Sequence, residues 1–427
     1  MAELAPEEPP TVAPQPAILE PFPPTFYYAN GIELFERLAH YGMYVGLALY
    51  LTNVVGYGDI AVGGLLGNFR FVASLAPVPC GAIADRITFK RSLILAFCLY
   101  ALGYVGLFAY PTKALAPISL LFLAVGGGFM KPVITGTVIR TAPPGRQVEG
   151  FAVFYRMINA GSVVGKSLAY LVRVLVTLRY VMITSVVASV AALGLALFGY
   201  TEPTRGAAEK KSSFTDTLRG YGGALKNLRF SLFLVLFAGF YFMAEQFYMT
   251  FPKYVTRHID AKAPLEIITL INPALIAVGQ GFISRRMKGF HPLTTMVFGV
   301  LLASLSMLVM GALPTLVGAC LSGAIFACAE MTFSPRFYAY IASFAPPGKE
   351  GMYMGLAFVP AAIGAWIGGQ VSGHMIQQYL PAEGARSPFT VWSTYAGLGL
   401  GCALLMLVYR WFAVRSDDPS TPPVAPA

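Results

Sequence analysis

The sequence predicts an all-α membrane protein of about twelve spanning helices in two six-helix bundles. Three observations lead there. Hydrophobic residues make up 56% of the chain and charged residues only 12%, whereas soluble domains carry about a quarter charged residues. Apolar segments long enough to cross a bilayer recur at 26–52, 61–84, 92–111, 115–139, 149–172, 176–199, 230–256, 264–283, 292–311, 313–343, 351–375 and 389–413. The series is interrupted by a polar, basic stretch from Tyr200 to Arg229 that contains Lys210 and Lys211, which separates six segments from six.

This pattern divides the chain into a tail at 1–25, an N-terminal bundle at 26–200, a linker at 201–229, a C-terminal bundle at 230–413 and a tail at 414–427. The first tail is rich in Pro and Glu and reads as disordered; it lacks the basic start of a secretory signal. With both termini inside, the inner segments carry more than twice as many Lys and Arg as the outer ones. The bias predicts a multi-pass protein of the cell (inner or plasma) membrane with cytoplasmic termini. It also accounts for the net charge of +10 without nucleic acid as a partner. Cys80, Cys98, Cys320, Cys328 and Cys402 lie in apolar runs without metal-ligand spacing, so neither a metal site nor a disulfide framework is expected. The sequence offers no nucleophile–base constellation, and an enzyme is not expected.

The first segment holds the most informative residues. Glu33, Glu36 and Arg37 stand at i, i+3 and i+4 and share one helix face. Tyr41 and Tyr44 continue that face. Charges at this depth are expensive and mark function by default, and the stripe must face protein or a water-filled cavity. In the fourth segment, Gly126-Gly127-Gly128-Phe129-Met130-Lys131-Pro132 places a lysine about ten residues from either helix end, beyond snorkelling reach. Its glycines permit close backbone approach. On the fifth, Tyr155, Asn159 and Ser162 share a face, and Lys166 extends it toward the outer surface, where snorkelling would satisfy it. Glu245 on the seventh helix has Arg70 on the second as a candidate partner across an outer gate. Asn272-Pro273 interrupts the eighth helix, and Glu330 and Ser334 share a face of the tenth at i, i+4.

Glu33, Glu36, Arg37, Tyr41 and Gly42 resemble the E-x-x-E-R-F-x-Y-Y-G signature of the proton-dependent oligopeptide transporter family, with Leu38 for Phe and His40 for the first Tyr. Similar matches follow in order: Gly126 to Pro132 with G-x-G-x-x-K-P, Phe151 to Ser162 with F-x-x-x-Y-x-x-x-N-x-G-S, and Glu330 to Pro335 with E-L-x-x-S-P. Gly81 to Arg86 with Lys90 resembles the G-x-x-x-D-R-x-x-x-K/R loop of the wider major facilitator superfamily. The resemblance implies the major facilitator fold and a proton-coupled symporter that imports di- and tripeptides by alternating access, using protons and no cofactor. It implies proton coupling at Glu33, Glu36 and Arg37. Substrate contacts would come from Tyr41, Lys131, Tyr155, Asn159, Asn272, Glu330 and Ser334, with Lys131 on the peptide carboxylate and Glu330 on its amine. Gating would fall to Asp85, Arg86, Arg70 and Glu245. The partners would be a small peptide and the lipid bilayer, with the protein a monomer. Arg156, Arg336 and His40 depart from the pattern. They keep open a carrier of another small anion or amphiphile, beside a drug–proton antiporter and a non-transporting sensor. Arg336 stands close enough in sequence to neutralise Glu330.

Overall fold

The computed structural model describes residues 20–143, 146–203, 214–346 and 350–415. The segments 1–19 and 416–427 of the two predicted tails, and 204–213 of the linker, lie outside the described residues. The N-terminal half comprises α1 (Pro24–Asn53), α2 (Asp59–Leu75), α3 (Pro77–Ile87), α4 (Phe89–Ala109), α5 (Leu115–Thr141), α6 (Gln147–Leu175) and α7 (Val181–Gly194). A further helix, α8 (Phe214–Leu225), occupies the stretch read as a linker. The C-terminal half comprises α9 (Leu228–Met249), α10 (Phe251–Tyr254), α11 (Leu265–Ile268), α12 (Ile271–Arg286), α13 (Pro292–Ala312), α14 (Leu316–Ala342), α15 (Glu350–Leu356), α16 (Phe358–Tyr379) and α17 (Pro388–Arg415).

Several predicted spans are broken helices. The breaks fall at Ala76, Thr250, Leu270 and Ala357, each within three residues of Pro77, Pro252, Pro273 or Pro360. A proline has no N–H for the carbonyl four residues earlier, so the ladder opens there. The α2–α3 pair bends by 43°. Among the described residues, ten segments are long and apolar enough to cross a membrane when that pair counts as one. Helices α1 and α6 are longer still, at 30 and 29 residues. They fall outside that class because they carry Glu33, Glu36 and Arg37, and Glu149, Arg156, Lys166 and Arg173.

Each half has its own apolar core. Met43, Phe97, Tyr104 and Met130 belong to one; Phe233, Phe240, Phe333 and Trp392 belong to the other. The halves meet mainly along α2 against α16, a seam of bare backbone. A Cβ on Gly63 would stand 2.3 Å from the Gly369 carbonyl oxygen, and one on Gly369 would stand 2.4 Å from that of Gly63. Glycine is therefore required for this approach. Within the N-terminal half, α6 closes on α1 in the same way, with Gly161 against Leu34 and Gly165 against Leu38.

The face from which α1 starts is here called the terminal face and the opposite one the distal face. Cross-half packing runs through α2 with α16, α6 with α11, and α1 with α9, α10 and α11. Among the described residues, α3, α5, α12 and α14 make no extended contact across the halves. The molecule is thus closed at the distal face and splayed toward the terminal face.

Candidate functional site

Helix α1 brings its polar stripe to the middle of the molecule. Arg37 Nε lies 2.6 Å from Glu33 Oε1 and 3.2 Å from Glu36 Oε2, and both carboxylates are buried. Tyr100 on α4 donates to Glu36 Oε1 at 2.8 Å. One guanidinium thus serves two carboxylates, and the triad carries an excess negative charge when all three are ionised. A proton on one carboxylate, or a further cation, balances it. The glycines of α5 set this arrangement: a Cβ on Gly127 would reach within 2.8 Å of the Tyr100 hydroxyl, and one on Gly126 within 2.9 Å of the Ala96 carbonyl. Lys131, on the same helix, is partly buried and feels the like charges of Arg37 and Arg70 more than the opposite charges of Glu36 and Glu33. Among the described residues its ammonium has no hydrogen bond or ion pair.

Across the interface, Glu330 on α14 accepts from Asn272 Nδ2 at 3.2 Å. The cation near it is Lys166. This corrects the outward, snorkelling reading: Lys166 is 2% exposed. Its Nζ donates to the Thr269 carbonyl at 3.1 Å and lies 5.5 Å and 5.8 Å from the ring centroids of Tyr41 and Tyr248. The Thr269 carbonyl is available because Pro273 stands four residues on and has no N–H to offer it. Arg336 does not neutralise Glu330. It reaches instead to the Met287 carbonyl at 3.4 Å.

Arg70 and Glu245 come together as a bridge between α2 and α9. Arg70 donates to Glu245 Oε1 from Nε at 2.8 Å and from Nη2 at 2.6 Å. Tyr44 donates to the other oxygen at 2.6 Å, and His40 stacks on Tyr44. Further toward the distal face, Asp59 accepts from Lys253 at 2.6 Å and from Arg257 at 2.9 Å. Arg173 grips Glu266 at 2.6 and 2.8 Å. These distal clusters join residues far apart in the chain, and sequence reading did not find them.

At the terminal face, Asp85 on α3 lies 4.0 Å from Arg140 on α5, and Arg86 is exposed. Glu202 caps the start of α4 through the amides of Phe89 and Lys90 at 2.8 and 2.9 Å.

Between the halves lies a cavity of about 390 Å³ lined by Tyr41, Arg70, Tyr155, Asn159, Lys166, Tyr248, Asn272 and Glu330 among others. That is the size of small-molecule sites. Tyr155 is largely exposed to it, and the Asn159 amide turns back to the Tyr155 carbonyl at 3.0 Å. Lys131 and Ser334 are not among its lining residues. A larger cavity of about 490 Å³, walled by Val72, Cys80, Tyr221 and Val359, has no charged group and offers no comparable chemistry.

A family model described as Major Facilitator Superfamily matches residues 33–369. The chain belongs to the Major Facilitator Superfamily. This facilitator is 32% identical over 165 residues to "Peptide transporter family 1" of Drosophila melanogaster, covering 36% of this chain. It spans 22% of that relative's length. It is 25% identical over 378 residues to "Multidrug resistance protein MdtH" of Photorhabdus laumondii, covering 87% of this chain and 90% of that one. The structure of "peptide transporter POT in complex with sulfate" is similar at a TM-score of 0.77 and 17% identity, over 92% of this chain and 95% of that one. At such identity the likeness shows the fold, that of proton-dependent oligopeptide transporters. The facilitator is a multi-pass membrane transporter, and its family and fold are not those of enzymes.

Proposed function

We propose that the protein is a proton-coupled symporter of small peptides in the cell membrane, monomeric, with its terminal face cytoplasmic. The observation that carries this reading is a divided set of charges: Arg70 and Lys166 line one cavity from the N-terminal half and Glu245 and Glu330 from the C-terminal half, with further charges outside that lining. Arg37 and Lys131 stand in the N-terminal half and Glu330 in the C-terminal half. A peptide presents a carboxylate at one end and a polar amino terminus at the other. Gripping both would draw the halves together and close the terminal side, as alternating access requires. Tyr41, Tyr155, Asn159, Asn272 and Ser334 serve as neutral contacts. Glu33 and Glu36 compete for Arg37 and exchange the coupling proton. The Lys/Arg bias supports the orientation. The similarity to the Drosophila peptide transporter and to the POT structures supports the substrate class.

A second reading has its own support. The similarity to MdtH extends over 87% of the chain, and Tyr41, Tyr155, Tyr241, Tyr248 and Phe326 give the cavity aromatic walls suited to amphiphiles. The deciding experiment is uptake of labelled small peptides, capped and uncapped, into proteoliposomes with the lumen made alkaline relative to the bath. Accumulation that collapses with a protonophore supports symport. No peptide uptake, with proton efflux driven by a lipophilic cation instead, would favour the antiporter.

A further inference from the structure

The motif residues of α6 end at Ser162, yet the buried cation that acts on Glu330 comes from the next turn. Lys166 has the surroundings by which proteins bind an ammonium: a carbonyl at 3.1 Å, two tyrosine rings within 6 Å, and the Glu330 carboxylate lining the same cavity. A peptide amine arriving at Glu330 would seek the same partners. We propose that Lys166 is a tethered ammonium filling the amine subsite beside Glu330, so that the site selects small peptide acids whose amino terminus is blocked.

This selectivity rests on the peptide reading and sharpens it. Lys166 cannot retreat to water at low cost, because the whole side chain is buried and its ammonium is tied to the Thr269 carbonyl. A free amine would have to share Glu330 with it, and two buried cations on one carboxylate leave one poorly paired, which is strongly unfavourable. An N-acyl group brings no charge to that end and can lie against the tyrosine walls. The carboxylate end keeps its attraction, since the Lys131 ammonium has no ion pair among the described residues. Glu33 and Glu36 share Arg37, Glu245 is held by Arg70, and Glu330 shares its cavity with Lys166, whose charge acts on it. Once the coupling proton sits on Glu33 or Glu36, the remaining three carboxylates are matched by Arg37, Arg70 and Lys166, and the Lys131 ammonium is left over, which suits a monoanion better than a zwitterion.

The test compares labelled Ala-Ala and N-acetyl-Ala-Ala in proteoliposomes of the full chain under one pH gradient. The parent is expected to take up the N-acetyl peptide with at least about tenfold higher efficiency, a difference of about 1.4 kcal/mol. Lys166→Met should reverse the preference, and Lys166→Arg should keep it. A parent that prefers free Ala-Ala overturns the proposal without any variant, so a poorly folded Lys166→Met does not shield it. Peptide uptake with a ratio that Lys166→Met leaves unchanged overturns the role of Lys166 alone. Absence of uptake and of competitive binding for both peptides in every variant overturns the peptide reading and this proposal together.

Discussion

At the scale of single residues, the α1 triad decides what proton coupling requires. Glu36 has one oxygen on Tyr100 and the other 3.2 Å from a guanidinium already engaged by Glu33. Glu36→Gln keeps the shape and removes the titration. Proton-driven accumulation is expected to fall to background while exchange of internal for external substrate continues; equal accumulation by variant and parent would remove Glu36 from the coupling step. Lys131→Ala is expected to abolish uptake with little loss of folded protein, because removing a buried cation that lacks an ion pair relieves a desolvation penalty. Yield and monodispersity in detergent, set beside uptake, check this. Normal uptake would show that the carboxylate is held elsewhere.

At the scale of elements, Thr88 between α3 and α4 has φ 89° and ψ 151°, a region that belongs almost entirely to glycine and costs about 1–3 kcal/mol in other residues. Its hydroxyl accepts from the Arg91 amide at 3.4 Å, a long cap whose exchange for glycine loses only a few tenths of a kcal/mol. Thr88→Gly should therefore raise stability by about 1–2 kcal/mol, read as a higher melting temperature in detergent. An unchanged or lower midpoint would mean the strain is absorbed nearby. The elements were also the most legible part of the sequence, since apolar length marks spans whatever they pack against. Their breaks were less so: Pro77 and Pro360 passed as interior residues because hydropathy does not register a missing N–H. The site was readable where chemistry is local. Glu33 and Arg37 are four residues apart and had to meet, and Arg70 and Glu245 were unexplained charges at matching depth. Lys166 was misplaced because helical periodicity gives a face and not a burial, and its partner is a carbonyl freed by a proline more than a hundred positions away. The bonds of Asp59 to Lys253 and Arg257 are likewise set by how the halves dock.

At the scale of the whole molecule, closure of the distal face depends on a few ion pairs beside a glycine seam. Asp59→Asn would leave Lys253 and Arg257 without their shared carboxylate. The distal side should then open more often, seen as faster thiol labelling of a cysteine placed at Ile60 and a wider spread of distances between labels on α2 and α10. Labelling as slow as in the parent would assign closure to the α2–α16 seam alone.

The close fit of α6 on α1 has a consequence for how the chain enters the bilayer. Each charged residue at the centre of a lone helix opposes insertion by roughly 2.5–3.5 kcal/mol, and α1 carries Glu33, Glu36 and Arg37. Its cover includes Gly161 and Gly165 of α6, made more than a hundred residues later. During synthesis α1 must therefore wait, half-committed, in the protected space of the insertion machinery or at the membrane surface until α6 emerges. Nascent chains halted at residue 143 should leave α1 open to solvent probes, and chains halted far enough beyond α6 for that helix to have cleared the ribosome should not. The residues that suit this helix to carry protons make it dependent on a late-born neighbour for its place in the membrane.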